Sequence, residues 1–148
     1  MSYQIDQSIK IEDTSKTTYV SLVNGEEIIV SISAKDKREL KLFFRELNKP
    51  LIFKIFTFSV LCAHAIKSSD AKNISIDCEY AWHEIDIKSF IVQILTIEKA
   101  SIPDINFTRV GKKSRAHEAV HHSLENREKG SVVNIKEVIS YYVKVNKA

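Results

Sequence analysis

The chain has 148 residues, 44% of them hydrophobic and 28% charged, with a formal net charge of +3 at pH 7 and only three glycines and two prolines. That length suits a single domain, taken as residues 1–148, and is too short for two comfortable ones. The composition excludes a disordered or low-complexity chain and calls for dense regular structure.

Hydrophobic periodicity divides the chain into elements. In "YQIDQSIKIE" the odd positions Tyr3, Ile5, Ile9 and Ile11 are apolar while Asp6, Ser8, Lys10 and Glu12 share the other face, which is strand alternation. "TTYVSLV", Asn24-Gly25 and "EEIIVSIS" form a β-branched run, a tight-turn dipeptide and a second run, a strong hairpin signal. From Ala34 to Leu47 the apolar Leu40, Phe43, Phe44 and Leu47 recur at helical spacing, and Pro50 separates them from an apolar helix over residues 51–67. "KNISID" is a short strand ending at Asp77, and Ile85, Phe90, Ile91, Ile94 and Leu95 mark a helix after "CEYAWH". "DINFTRV" is another short strand. "SRAHEAVHHSLENR" reads as a polar helix with a narrow stripe of Ala116, Ala119, Val120 and Leu124. Asn134, with Glu137 three positions on, has the pattern of a helix cap opening "IKEVISYYVKV".

Charge is unevenly spread. The first 27 residues set two lysines against five carboxylates; residues 34–54 set seven Lys/Arg against three, and residues 109–129 six against three. Two basic segments suit a surface that meets phosphates, although mixed charge on a helix also describes an ordinary solvated face. Cys62 and Cys78 form no C-x-x-C pair, which points to a reducing, cytoplasmic setting. The first residues lack the pattern of a signal peptide, and "LIFKIFTFSVLCAHAI" falls short of the roughly 20 apolar residues of a membrane span, so no membrane is expected. No Gly-rich phosphate loop or G-x-S-x-G elbow is found, which argues against nucleotide triphosphate hydrolysis and acyl transfer.

Three antiparallel strands followed by alternating helices and strands imply an α/β domain with a mixed five-stranded sheet flanked by helices. This layout resembles the ribonuclease H-like superfamily, and three stretches are similar at matching places: "QIDQS" on the first strand, "ISIDCEYAWHEIDIKSFI" spanning the fourth strand and the following helix, and "GKKSRAHEA" at the last strand-to-helix turn. The resemblance implies phosphodiester hydrolysis assisted by Mg²⁺ or Mn²⁺, with nucleic acid as partner. Asp6, Asp77 and Glu118 would be the metal ligands and catalytic groups, with His117 as a further catalytic candidate. Lys112, Lys113 and Arg115 would meet the nucleic-acid backbone. Hard oxygen ligands fit such ions, and two of them can stabilise both the attacking and the leaving oxygen. The chain departs from the pattern in one respect. The apolar helix "LIFKIFTFSVLCAHAI" carries no carboxylate where the superfamily usually has one, so Glu79 or Glu84 would have to substitute. Without a substitute the expectation becomes a non-catalytic nucleic-acid-binding module.

"HEAVH" contains a separate signal. His117 and His121 share a helical face, with Glu118 between them, as in zinc hydrolases where two histidines bind Zn²⁺ and the glutamate activates its water. The polar surroundings make a coincidental match the stronger reading. In "EYAW", Tyr80 and Trp82 follow Asp77, where an aromatic either stacks on a base or anchors the turn in the core.

Overall fold

The computed structural model describes residues 3–77, 79–108 and 130–147. Strand β1 (Tyr3–Ser8) leads to the hairpin of β2 (Thr18–Asn24) and β3 (Glu26–Ile32). Helices α1 (Ala34–Glu46) and α2 (Ile52–Lys67), strand β4 (Asn73–Asp77), helix α3 (Glu84–Ile97), strand β5 (Asp104–Thr108), the two-residue β6 (Ser131–Val132) and helix α4 (Ile135–Lys147) follow. The six strands form one sheet in the order β5-β4-β1-β2-β3-β6. β2 is antiparallel to both β1 and β3, whereas β4 runs parallel to β1, β5 parallel to β4, and β6 parallel to β3.

The sheet therefore has six strands among the described residues where the sequence pattern implied five. β6 is too short to show periodicity, and Gly130, just before it, lies close against the Ile29 backbone of β3. A Cβ at Gly130 would sit 2.0 Å from the Ile29 carbonyl oxygen, so any other residue there would force the backbone to shift. β1 is also shorter than its alternation implied. It stops at Ser8 because Ile9 takes a left-handed backbone, φ 65°, which turns the chain away before Ile11 reaches the core.

Register assigns the strand residues to two faces. Ile5, Val20, Leu22, Val30 and Ile32, with Ile74, Ile76 and Ile105, share one face. All of these are buried. Against this face lies α2, which contacts β2 and β3 and is apolar around most of its circumference. Such a helix is stable only when surrounded, and α1, α3 and α4 all pack against it. Edge-to-face rings knit these helices together: Phe44 and Tyr142 have centroids 4.9 Å apart, Phe56 and Phe90 5.0 Å, and Phe56 and Tyr142 5.2 Å. No helix of the described residues is long and apolar enough to cross a membrane.

Caps fix the helix ends. The Ser33 hydroxyl accepts the Asp36 N–H at 3.1 Å to start α1, and Asn134 Oδ1 accepts the Glu137 N–H at 3.0 Å to start α4. Asp36 reaches across to accept the Ile135 N–H at 2.9 Å, so α1 also caps α4. Within the basic segment over residues 34–54, Lys37 is no part of any charged surface: it is fully buried, and its ammonium donates to the Asp13 carbonyl and, at 2.9 Å, to the Thr18 hydroxyl. Thr18 in turn donates to the Ile9 carbonyl at 2.8 Å, holding the left-handed turn after β1.

Candidate carboxylate site

The other face of the sheet is polar. Asp6 stands opposite Ser21 on β2, and Ser75 and Asp77 project from β4 on the same side. Because Ile5 pairs with Ile76 in the parallel β1–β4 ladder, Asp6 and Asp77 leave their strands together at the carboxyl ends. Glu79 follows two residues after Asp77, where the chain turns off the strand towards α3. One carboxylate oxygen from each of Asp6, Asp77 and Glu79 lies within 4.8 Å of the other two.

The sequence reading of Asp6 on a polar face holds, yet that face is not solvated at this point: Asp6 is 3% exposed. Burial pushes its carboxyl up to about 7, with further upward pressure from the Asp77 and Glu79 charges. The Gln7 N–H, donated to Asp6 Oδ1 at 2.8 Å, opposes that shift. Glu79 is likewise held above the usual carboxylate range, first by desolvation and then by Asp77 and Glu12, against a lowering hydrogen bond from Gln7 and the charge of Lys10.

A polar network positions Glu79. Gln7 Nε2 donates to Glu79 Oε2 at 3.0 Å, and Gln7 Oε1 lies 3.3 Å from the Tyr80 hydroxyl. That hydroxyl accepts the buried Ile11 N–H at 3.1 Å and sits 3.3 Å from Glu12 Oε1, whose carboxylate pairs with Lys54 at 3.8 Å. The Tyr80 ring is packed against Phe58, centroids 5.3 Å apart, so the loop bearing Glu79 is pinned to α2. Of the two aromatics in "EYAW", Tyr80 is thus the core anchor, 4% exposed, while Trp82 is 93% exposed.

The donor set suits a hard divalent cation. Three hard oxygen donors converge, and burial together with mutual repulsion raises the proton affinity of Asp6, so the cluster could hold a positive charge. Two oxygens on opposite sides of an ion with bonds of about 2.1–2.6 Å are roughly 4–5 Å apart, which accommodates this cluster with small side-chain movement.

Asp6 and Asp77 are brought together as the sequence implied. Glu79, considered there only as a substitute, joins them, and Glu84 does not; its carboxylate accepts the Trp82 N–H at 3.2 Å instead. The short D-x-E spacing after β4 was the signal. His117, Glu118 and His121, with Lys112, Lys113 and Arg115, lie outside the described residues, as does Cys78; Cys62 is a free thiol buried in α2. Thr108, beside Asp77 in the β4–β5 ladder, is the last described residue before them. No protein-family model matches the chain, and neither curated proteins nor solved structures give a match.

Proposed function

We propose that this protein is a divalent-cation-dependent phosphodiester hydrolase of the ribonuclease H-like kind, acting on nucleic acid. The observation that carries the reading is the convergence of Asp6, Asp77 and Glu79 at the carboxyl ends of two adjacent parallel strands. Three antiparallel strands followed by parallel strands reached through helices accord with the layout that the resemblance implies.

Mg²⁺ or Mn²⁺ bound there would supply charge stabilisation for the attacking and leaving oxygens of a phosphodiester. The chain's own contribution is to hold three carboxylates in place. Asp6 is fixed by its buried strand and the Gln7 N–H, and Glu79 by the Gln7 amide, whose orientation Tyr80 sets. Because the Asp6 proton must leave before its oxygen can bind a cation, cation affinity rises with pH through the neutral range. The alternative, a nucleic-acid-binding module without turnover, is favoured by one observation. All three clustered carboxylates come from strand ends and loop, and α2 contributes none.

The test is Mn²⁺ titration followed by cleavage of labelled single-stranded, duplex and hybrid oligonucleotides with Mg²⁺ or Mn²⁺. Expected is cation binding that disappears in Asp77→Asn and cleavage that disappears in both Asp6→Asn and Asp77→Asn. Cleavage that survives both substitutions sinks the reading. Binding of oligonucleotide without turnover under any cation establishes the module instead.

A further inference from the structure

Trp82 is the sole tryptophan of the chain and stands 93% exposed, with Ile85, three positions on, at 85%. Its backbone is left-handed, φ 73°, a conformation uncommon for any bulky residue and ordinarily given to glycine or asparagine. The turn is closed on both sides. The His83 N–H donates to the Tyr80 carbonyl at 3.1 Å, and the Trp82 N–H to Glu84 Oε1 at 3.2 Å. Tyr80 is buried at one end and Ile87 at the other, so the indole is held out into solvent by a fixed support. The fold gains no apolar burial from this arrangement and accepts backbone strain to maintain it.

Trp82 lies three positions after Glu79, so their Cα atoms are at most roughly 11 Å apart. An indole at that range reaches a base belonging to a nucleotide whose phosphate lies at the carboxylates, or to its neighbour. We infer that Trp82 is a substrate-binding residue that stacks on an unpaired nucleobase next to the carboxylate site, making single-stranded or locally opened nucleic acid the substrate class. This rests on the proposed reaction and names its substrate.

The chemistry of the turn favours a base over other occupants. Glu79, Glu84 and Asp86 lie within four positions of Trp82 in the chain, and Glu84 accepts the Trp82 N–H, so this stretch repels a phosphate while the uncharged face of a base is accepted. A second copy of the chain is a poor fit. An aromatic side chain buries about 150–250 Å², and with one isoleucine this stays well short of the roughly 800 Å² per partner of a stable interface.

Intrinsic fluorescence reports on Trp82 alone. The experiment titrates the intact chain with a short oligothymidine, and with the corresponding duplex, in Ca²⁺ to favour binding without turnover, and repeats the titration on Trp82→Ala with end-labelled oligonucleotide. Expected is quenching by the single strand, weaker quenching by the duplex, and about a 5- to 150-fold loss of affinity in Trp82→Ala. Trp82→Gly, which relieves the backbone, is expected to fold with unreduced melting temperature and to show the same loss of affinity. Oligonucleotide binding with unchanged emission and full affinity in Trp82→Ala overturns the inference, and leaves the nuclease reading standing if Mn²⁺-dependent cleavage persists. Quenching without cleavage under any cation removes the nuclease reading and, with it, the substrate class, leaving Trp82 as a base-stacking residue of a binding module. Absence of any oligonucleotide binding overturns both. An emission blue shift that grows with protein concentration alone assigns the indole to a second copy, and also overturns the inference.

Discussion

Asp6 and Ser21 face each other directly across the β1–β2 ladder, both buried, and the Ser21 hydroxyl has no hydrogen-bond partner among the described residues. A buried carboxyl beside an unpartnered hydroxyl, with two further carboxylates within 4.8 Å, is a poor arrangement for stability alone. Sites that sacrifice stability in this way are often functional ones.

The Asp6 carboxyl is raised from 3.8 to about 7 in the folded protein. Between those values the native state holds a proton that the unfolded chain has released, so stability falls as pH rises through that window. Asp6→Asn removes the penalty while keeping an acceptor for the Gln7 N–H. The variant is expected to match the parent at pH 4 and to exceed it at pH 8 by roughly 1–4 kcal/mol in the absence of divalent cations. Urea unfolding at both pH values measures this. Parity at pH 8 would show that burial and the neighbouring carboxylates do not raise the Asp6 carboxyl in the folded chain.

Lys37 gives the opposite slope. Its ammonium is held down from 10.5 to about 8, chiefly by desolvation, with the Asp13 and Glu12 charges opposing. From about pH 8 to 10 the native state binds fewer protons than the unfolded chain, so this group makes stability rise with pH. Lys37→Met preserves the volume and removes the titration. Its stability at pH 7 should be unchanged or up to about 3 kcal/mol higher, because a buried charge gives way to an apolar group. The rise above pH 8 should vanish from its unfolding midpoints, and an unaltered rise would assign it to another group.

Lys37 also shows where sequence reading stops. Element order, the break at Pro50 and the Asn134 cap were legible, because period, proline and capping residues act locally. The convergence of Asp6 with Asp77 was expected only from the resemblance to the ribonuclease H-like superfamily, not from any local pattern. Glu79 was legible only as one of two candidates, since choosing it over Glu84 depends on a Gln7 contact 72 residues away in the chain. The burial of Lys37 was hidden, because it sits among charged residues at the start of its helix and its partners, Asp13 and Thr18, are distant in the chain. Likewise Gly130, just before β6, lies against Ile29, a contact that no local pattern announces.

Tyr80 is expected to couple stability to the site. Tyr80→Phe keeps the packing on Phe58 and deletes the oxygen that accepts the buried Ile11 N–H. A buried donor left without a partner costs about 1–3 kcal/mol, or roughly 2–12 °C in melting temperature for a chain of this size. Gln7 loses its anchor at the same time, and Glu79 with it. Mn²⁺ affinity should therefore weaken by about tenfold, in the range seen when groups supporting metal ligands are removed. Calorimetric titration reads the second effect separately from the first. Unchanged Mn²⁺ affinity in a destabilised variant would confine Tyr80 to the core.

Trp82 separates stability from binding most cleanly. A side chain in the left-handed region costs about 1–2 kcal/mol, and glycine relieves this while adding about 0.5–1 kcal/mol of unfolded-state entropy. The indole is 93% exposed, so its deletion sacrifices almost no burial. Trp82→Gly should therefore leave the fold equally stable or more stable by up to about 1 kcal/mol, a melting temperature higher by roughly 0–4 °C. Calorimetry of the cation-free variant against the parent decides it. A fall of several degrees would mean that the turn needs the indole for its own structure, and the exposed ring would then be a consequence of folding with no role in recognition.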